Sequence, residues 1–429
     1  MKSYSLWRHQ EKATPALTYS SMVLWWEMRT GKSRAVLHAY NQLLNEGLVD
    51  DLIVVTVATA KATWRDEVEL MELSIPTYTC SGQTRQQLTP TLLDAPRIYV
   101  LNWEILPHWQ RFFHAQHKKG RRFCLVLDEG HLYLRNPRNQ RFKAARWLSR
   151  FAYRTWELTG TLMAKSGMDL YWQLQMMGGK YNPYQWDEPD DFGKQYCLRR
   201  FNHYKGYWEY TELKNEQELV SGLSCVSYLR MDDIADIPLP EHFPRWVADW
   251  GKSWLADRTD LELTREIQEM IPKKAKLTIE YVNDLDVRPV VVFGWNVLFT
   301  ELVARGLKAP RIYGGTSVED RESIRKAFQA GREEILVGNY RSLGMGVSLS
   351  RADDFVYGEP YWMADLYLQA QARGRDLRKK RRLRHHHLLV KGSPDEYIWV
   401  VRLQRGRAIE RLEDAARLDS DDLHDEAVV

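Results

Sequence analysis

The stretch VLWWEMRTGKSRAVLHAY (residues 23–40) decides how the rest of the chain is read. An apolar run ends on Gly31-Lys32-Ser33. The segment after it has apolar residues at 36, 37, 40, 43 and 44, the spacing of one helix face. Strand, loop, helix is the setting in which Gly-Lys-Ser binds phosphate, because a helix N-terminus offers free N–H groups and a partial positive charge. In that setting Lys32 reaches the terminal phosphates and Ser33 holds Mg2+. The strict loop G-x-x-x-x-G-K-[ST] has a glycine where this chain has Trp26. The tripeptide alone therefore fits a plain strand–helix turn with a surface lysine equally well, and the remaining sequence has to choose.

A chain of 429 residues holds two or three domains, each with its own core. Net charge is only +4, so nucleic-acid contacts have to come from local basic clusters. Cys80, Cys124, Cys197 and Cys225 form no C-x-x-C pair, which fits a reducing compartment and argues against a zinc ribbon. The start, MKSYSLWRHQ, has no apolar core of signal-peptide length, and no apolar run approaches the roughly 20 residues that span a bilayer. These features point to a cytoplasmic protein.

Short apolar runs recur between helically spaced segments. LIVVTV (52–57), RIYVL (97–101), FCLVLD (123–128) and RTWEL (154–158) make one set, and PVVVFG (289–294), EILVGN (334–339), DFVYG (354–358) and HHLLVK (386–391) a second. Buried parallel strands read this way, so the fold class is α/β with two lobes. Residues 165–285 lean towards helix, and DIPLPEHFP (236–244) reads as a connector. FCLVLDEGH places Asp128 and Glu129 at the C-terminal end of a strand. In a phosphate-loop enzyme the first such acid holds the metal and its neighbour polarises the attacking water.

Further motifs follow in order. LWRHQ (6–10) precedes EMRTGKS, and VTVATAKATWRDEV (55–68), VLNWEIL (100–106), DEGH, ELTGTLM (157–163) and YLRMDDIADIPLP (228–240) come after it. The second set contains IYGGTSVEDRESIRKAF (312–328), NYRSLGMGVSLSRADDFVYGEPYW (339–362) and QARGRDLR (371–378). Over nearly its full length the chain resembles the Swi/Snf-type DNA translocases of helicase superfamily II. That family's loop, E-M-G-x-G-K-[TS], also lacks the first glycine. Departures from the family pattern are Arg29 for glycine, Val57 and Leu162 for proline, Ser348 for asparagine and Glu359 for aspartate.

The resemblance implies two RecA-like lobes with parallel sheets and a helical insertion between them. The expected divisions are 1–165 for the ATP-binding lobe, 166–270 for the helical extension and connector, 271–410 for the second lobe and 411–429 for an acidic tail. It implies ATP and Mg2+ as cofactors. Gln10 is expected to read adenine, with Glu27, Met28, Arg29, Thr30, Gly31, Lys32, Ser33, His131, Gly346 and Gln371 completing the nucleotide site. Ser33 and Asp128 are the expected metal ligands. Lys32, Asp128, Glu129, Arg375 and Arg378 are the expected catalytic set, the two arginines meeting the developing phosphoryl charge.

DNA, duplex favoured, is the expected partner of a monomeric motor. Thr59, Lys61, Asn102, Trp103, Thr161, Trp295, Arg341, Ser342, Lys379 and Arg381 are the candidate contacts. The run RKKRRLR (378–384) is alternatively a solvated basic face. Strand alternation puts His385 and His387 on one face, which makes a metal cluster the weaker reading of that triplet. Most of the 17 Trp have helical apolar neighbours and read as core. No nuclease motif and no chromatin-reading domain is recognisable, which suggests a phage or bacterial motor. Two further readings stay open: a strand-separating or branch-migrating helicase, and a nucleic-acid-binding module that does not hydrolyse ATP.

Overall fold

The computed structural model describes residues 5–82, 95–163, 166–177, 188–202, 206–251, 260–343, 349–361, 363–376 and 379–425. The chain divides into two compact units, residues 1–234 with 408–429, and residues 235–407. Each is a RecA-like α/β unit around its own parallel sheet.

The first unit contains β1 (Met22–Trp26), β2 (Asp51–Thr56), β3 (Thr77–Thr79), β4 (Arg97–Asn102), β5 (Phe123–Asp128), β6 (Arg154–Thr159), β7 (Cys197–Asn202), β8 (Tyr207–Leu213) and β9 (Val226–Leu229). Seven of these form one sheet in the order β3-β4-β2-β5-β6-β1-β9, and every pairing in it is parallel. The runs MVLWW, DLIVVT and FCLVLD explain why, since apolar residues on both strand faces need covering on both sides. Two helices matter most for the site, α1 (Arg8–Tyr19) and α2 (Lys32–Asn45). The face of α2 carrying Val36, Leu37, Tyr40 and Leu43 packs with Leu24, Val54, Val126 and Trp156 in one core cluster. Strands β5, β6 and β1 are neighbours, so the turns after them share the C-terminal edge, where open parallel sheets bind ligands.

The second unit contains β10 (Glu241–Asp249), β11 (Val290–Gly294), β12 (Arg311–Ile312), β13 (Ile335–Asn339), β14 (Asp354–Tyr357) and β15 (Arg384–Lys391). They pair in the order β10-β15-β14-β11-β13-β12, again all parallel.

Two segments differ from the sequence expectation. The connector DIPLPEHFP gives up its last residues to β10, which lies at a sheet edge; an edge strand tolerates Pro244 because one side of it needs no ladder bond. Within the helix-leaning stretch 165–285, β7 and β8 form a separate antiparallel ribbon, and β9 joins the first sheet beside β1. All four cysteines are buried free thiols. Among the described residues no helix is long and apolar enough to cross a membrane.

The histidine triplet lies inside the second unit. The Nδ1 of His385 is 3.0 Å from the Tyr357 hydroxyl, and His386 sits between the Tyr281 hydroxyl (2.9 Å) and the Asp354 carboxylate (3.0 Å). The ring of His387 bonds the Tyr367 hydroxyl and lies 3.1 Å from His242 Nδ1. Among the described residues no cluster of His, Cys, Asp or Glu is suited to a metal, so these rings pack as polar core. Burial pushes His385 and His387 well below the ordinary imidazole range and lowers His242. The folded chain keeps them neutral, whereas the unfolded chain protonates them below about 6.5. Their contribution is therefore complete above that pH and lost as pH falls through it. Thermal unfolding should show the midpoint of the second unit falling between about pH 7 and pH 5. A flat or rising midpoint contradicts this reading.

Candidate nucleotide-binding site

The turn between β1 and α2 has the shape a phosphate loop needs. Gly31 is left-handed, φ 80°, and caps the N-terminus of α2. A Cβ at this position would collide with the Nε2 atom of Gln10. Gln10 is fully buried on α1; its Oε1 accepts from the Trp7 N–H (2.9 Å) and its Nε2 donates to the Gly31 carbonyl (3.0 Å). The Nε2 of His9 lies 2.7 Å from the Thr30 carbonyl. Helix α1 thus grips the loop from outside at two consecutive residues.

The loop is also closed from within. Lys32 Nζ donates to the carbonyls of Trp26 (2.8 Å) and Glu27 (3.2 Å), and the Thr30 hydroxyl donates to Glu27 as well (2.7 Å). The carboxylate of Glu27 accepts from the Met231 N–H (2.8 Å). Met28 is buried, and Ser33 stands in the first turn of α2. Arg29, the departure from the family's glycine, has φ 67°. A side chain in that region costs roughly 1–2 kcal/mol, which is why glycine suits the position. Val57, in place of proline, has φ −75° and keeps the backbone that proline would impose.

At the end of β5, Asp128 Oδ2 accepts from the Thr56 hydroxyl (2.7 Å) and Trp64 Nε1 (2.9 Å). These donors fix the carboxylate at the sheet edge. Glu129 is left-handed, φ 52°, and its Oε2 lies 3.6 Å from His131 Nδ1. The same nitrogen is 2.8 Å from the Thr159 hydroxyl, whose single proton goes to the Thr161 carbonyl (2.6 Å). That assigns the proton between His131 and Thr159 to His131 Nδ1. Burial, helped by Arg135 and Lys32, lowers His131 to about 3, so it is neutral near pH 7. Lys32 and the acidic turn therefore share one electrostatic environment.

The structure revises several sequence expectations. The amide of Gln10 is bonded to the loop and to Trp7, so adenine reading requires it to exchange those bonds. His131 is fully buried and its Nδ1 is bonded to the Thr159 hydroxyl, so that nitrogen is committed within the fold. Trp103 is fully buried, donates to the Asp128 carbonyl (2.9 Å) and stacks on Tyr133, so it offers no base-stacking surface. Thr161 is buried in its turn. Lys379 bonds the carbonyls of Ser350, Ala352 and Gly374 and pairs with Asp353 at 2.9 Å, a structural role and not a phosphate contact. Sequence reading missed these because a lone lysine or tryptophan carries no mark of its tertiary partners.

The remaining candidates differ in exposure, and the Thr59 hydroxyl oxygen is itself buried. Thr59 is half-buried, and Lys61 donates to Asn102 (3.3 Å), which binds Glu104 (2.7 Å). In the second unit Arg341 and Arg381 are exposed, whereas Ser342 is buried. Trp295 is half-buried, stacked at 6.1 Å on Tyr361. Its N–H and that of Asn296 both donate to the Glu359 carboxylate (3.0 Å each), so glutamate at the aspartate position anchors this turn. Arg375 is buried and Gln371 half-buried. Arg378 and Gly346 lie outside the described residues.

No family model matches the chain. The SWI/SNF-related matrix-associated actin-dependent regulator of chromatin subfamily A-like protein 1 of Xenopus laevis is 24% identical over 381 residues, 81% of this chain and 38% of that protein. The Homo sapiens DNA annealing helicase and endonuclease ZRANB3 is 19% identical over 383 residues, 81% of this chain and 35% of that protein. The chain thus spans well under half the length of either. Among solved structures, an S. cerevisiae Dbp5 variant bound to RNA and ADP BeF3 covers 96% of this chain and 92% of its own, with TM-score 0.57 and 12% identity. That likeness concerns the fold.

One residue under the acidic turn stands out. Glu157 on β6 is fully buried, neither carboxylate oxygen has a hydrogen-bond partner, and both side-chain and carboxyl atoms fill the space where a Cβ on Gly130 would lie. Burial raises its pKa well above the ordinary carboxylate value. The folded chain must therefore take up a proton that the unfolded chain releases above about pH 4.3, and stability falls as pH rises past that value. Glu157→Leu should raise unfolding stability by about 1–3 kcal/mol near neutral pH, with the gain growing from pH 5 to pH 8. A loss of stability that is constant across that range contradicts this account.

Proposed function

We propose that this chain, similar to Swi/Snf-type proteins of helicase superfamily II, is a DNA-stimulated ATPase that translocates along double-stranded DNA. The observation that carries this reading is the β1–α2 turn, with left-handed Gly31, Lys32 folded over the loop and Asp128-Glu129 at the same sheet edge. Lys32 binds the β and γ phosphates after releasing the loop carbonyls. Ser33 and Asp128 are oxygen donors of the type Mg2+ takes alongside substrate phosphates, which needs no all-protein cage. The metal supplies neutralisation of the charge that develops on the transferred phosphoryl group. Glu129 orients and deprotonates the attacking water, and neutral His131 ties the turn after β5 to Thr159 through its Nδ1.

Phosphoryl transfer is mostly positioning and charge stabilisation, so donors have to meet the departing charge. Arg375 and Arg378 are proposed for that role on the match of QARGRDLR to the family motif. Lys61, Asn102, Arg341 and Arg381 are proposed DNA contacts. The name of the human relative, a DNA annealing helicase, favours branch migration or annealing as the second reading of the same motor.

Hydrolysis measured with and without duplex DNA tests the proposal. Wild type should be stimulated by DNA, and Lys32→Ala and Glu129→Gln should each lose at least ~100-fold of that rate. Displacement of the third strand from a triplex, with the duplex left intact, should accompany hydrolysis. Equal and negligible turnover in all three proteins leaves a binding module and overturns the ATPase.

A further inference from the structure

The β7–β8 ribbon lies outside both main sheets, and the ATPase chemistry makes no use of it. Its root is firm: Cys197 pairs with Leu213, and both are buried. Away from the root the ribbon exposes large rings. Trp208 is 56% and Tyr207 52% exposed. The two rings are successive strand residues and so stand on opposite faces of the ribbon, with Trp208 on the face shared with Phe201.

The rings are held in place. Register sets Phe201 opposite Trp208 and Arg199 opposite Tyr210 on one ribbon face. The edge of Phe201 meets Trp208 at 5.4 Å and 70°. The guanidinium of Arg199 lies 5.4 Å from the Trp208 ring and 5.6 Å from Tyr210. The hydroxyl of Tyr210 is tied to the Asp190 carboxylate, which also pairs with Lys194 at 2.6 Å. Trp208 is thus oriented by two neighbours, Phe201 and Arg199, yet open to water, a preorganised π surface beside a cation.

We propose that this ribbon is a stacking platform for unpaired DNA bases at a junction between duplex and single strand. The proposal rests on the motor reading above and specifies which DNA that motor prefers. Bases inside a duplex already stack on one another and have no free faces, whereas bases in a separated arm do. An aromatic ring backed by arginine is the surface that receives such bases, without sequence preference. Arg199 and Arg200 suit the phosphates of the same arm. Glu209, opposite Arg200 in register, and Glu212 limit the net charge. Stacking therefore dominates, and salt affects it less than it affects the duplex contacts.

The test uses the full chain without nucleotide, with fluorescent oligo(dT), a blunt duplex and a forked duplex of the same duplex sequence as probes. Trp208→Ala should weaken oligo(dT) and forked DNA about tenfold, bind blunt duplex like wild type and keep the wild-type thermal midpoint. Trp208→Phe should restore most of the loss. Unchanged oligo(dT) binding in Trp208→Ala overturns the proposal, as does an equal loss on all three DNAs. Loss of binding to a proline-rich peptide, with all three DNAs unaffected, assigns the surface to protein and also overturns it. The outcomes separate from those for the motor. Trp208-dependent oligo(dT) binding without any hydrolysis keeps the ribbon and sinks the ATPase. DNA-stimulated hydrolysis indifferent to Trp208 does the reverse.

Discussion

The left-handed turn at Gly31, wedged against the buried amide of Gln10, is the constraint on which the functional account depends. It aims the first N–H groups of α2 out of the sheet edge and places Lys32 over the loop. Any side chain at Gly31 meets both a backbone penalty and a steric one, because Gln10 occupies the space a Cβ needs. The loop's own polar groups are bonded to one another and to α1, so its shape does not wait for a ligand. The backbone is ordered in this way, and the bonds that Lys32 and Gln10 make within the loop are what a nucleotide has to displace.

From that turn the chemistry spreads along one sheet edge. β1 delivers the loop, β5 delivers Asp128 and Glu129, and β6, between them, delivers the Thr159 turn that holds His131. Low-dielectric burial makes His131 a neutral hydrogen-bonding part and keeps it out of titration in the physiological range. The same burial turns Glu157 into a liability directly beneath the turn. A site can tolerate such a residue when the surrounding sheet is strong, and six fully buried tryptophans, Trp25, Trp26, Trp64, Trp103, Trp109 and Trp156, belong to this unit.

The buried parallel strands were legible from sequence because a strand covered on both faces has an unmistakable apolar run; FCLVLD matches β5 residue for residue. The strand, turn and helix around Gly31 were legible in outline, and the odd Arg29 marked a position where the backbone is left-handed. What stayed hidden was whatever depends on distant partners. β10 carries a proline and alternating exposure, so its pattern looks like linker until β15 lies beside it. The β7–β8 ribbon is partly exposed on both strands and lacks an apolar run. Trp103 and Lys379 have the right chemistry for nucleic acid, but the fold commits both to backbone carbonyls.

The most direct measurement of the central claim is the affinity of a fluorescent ATP analogue for Gly31→Ala, with Gly47→Ala as the control. Gly47 has a similar left-handed backbone, φ 68°, but a Cβ there meets nothing within 4 Å. If the Gly31–Gln10 contact shapes the nucleotide loop, Gly31→Ala should lose at least about tenfold in affinity, more than 1.4 kcal/mol, while Gly47→Ala binds like wild type. Equal affinities for all three proteins contradict the account.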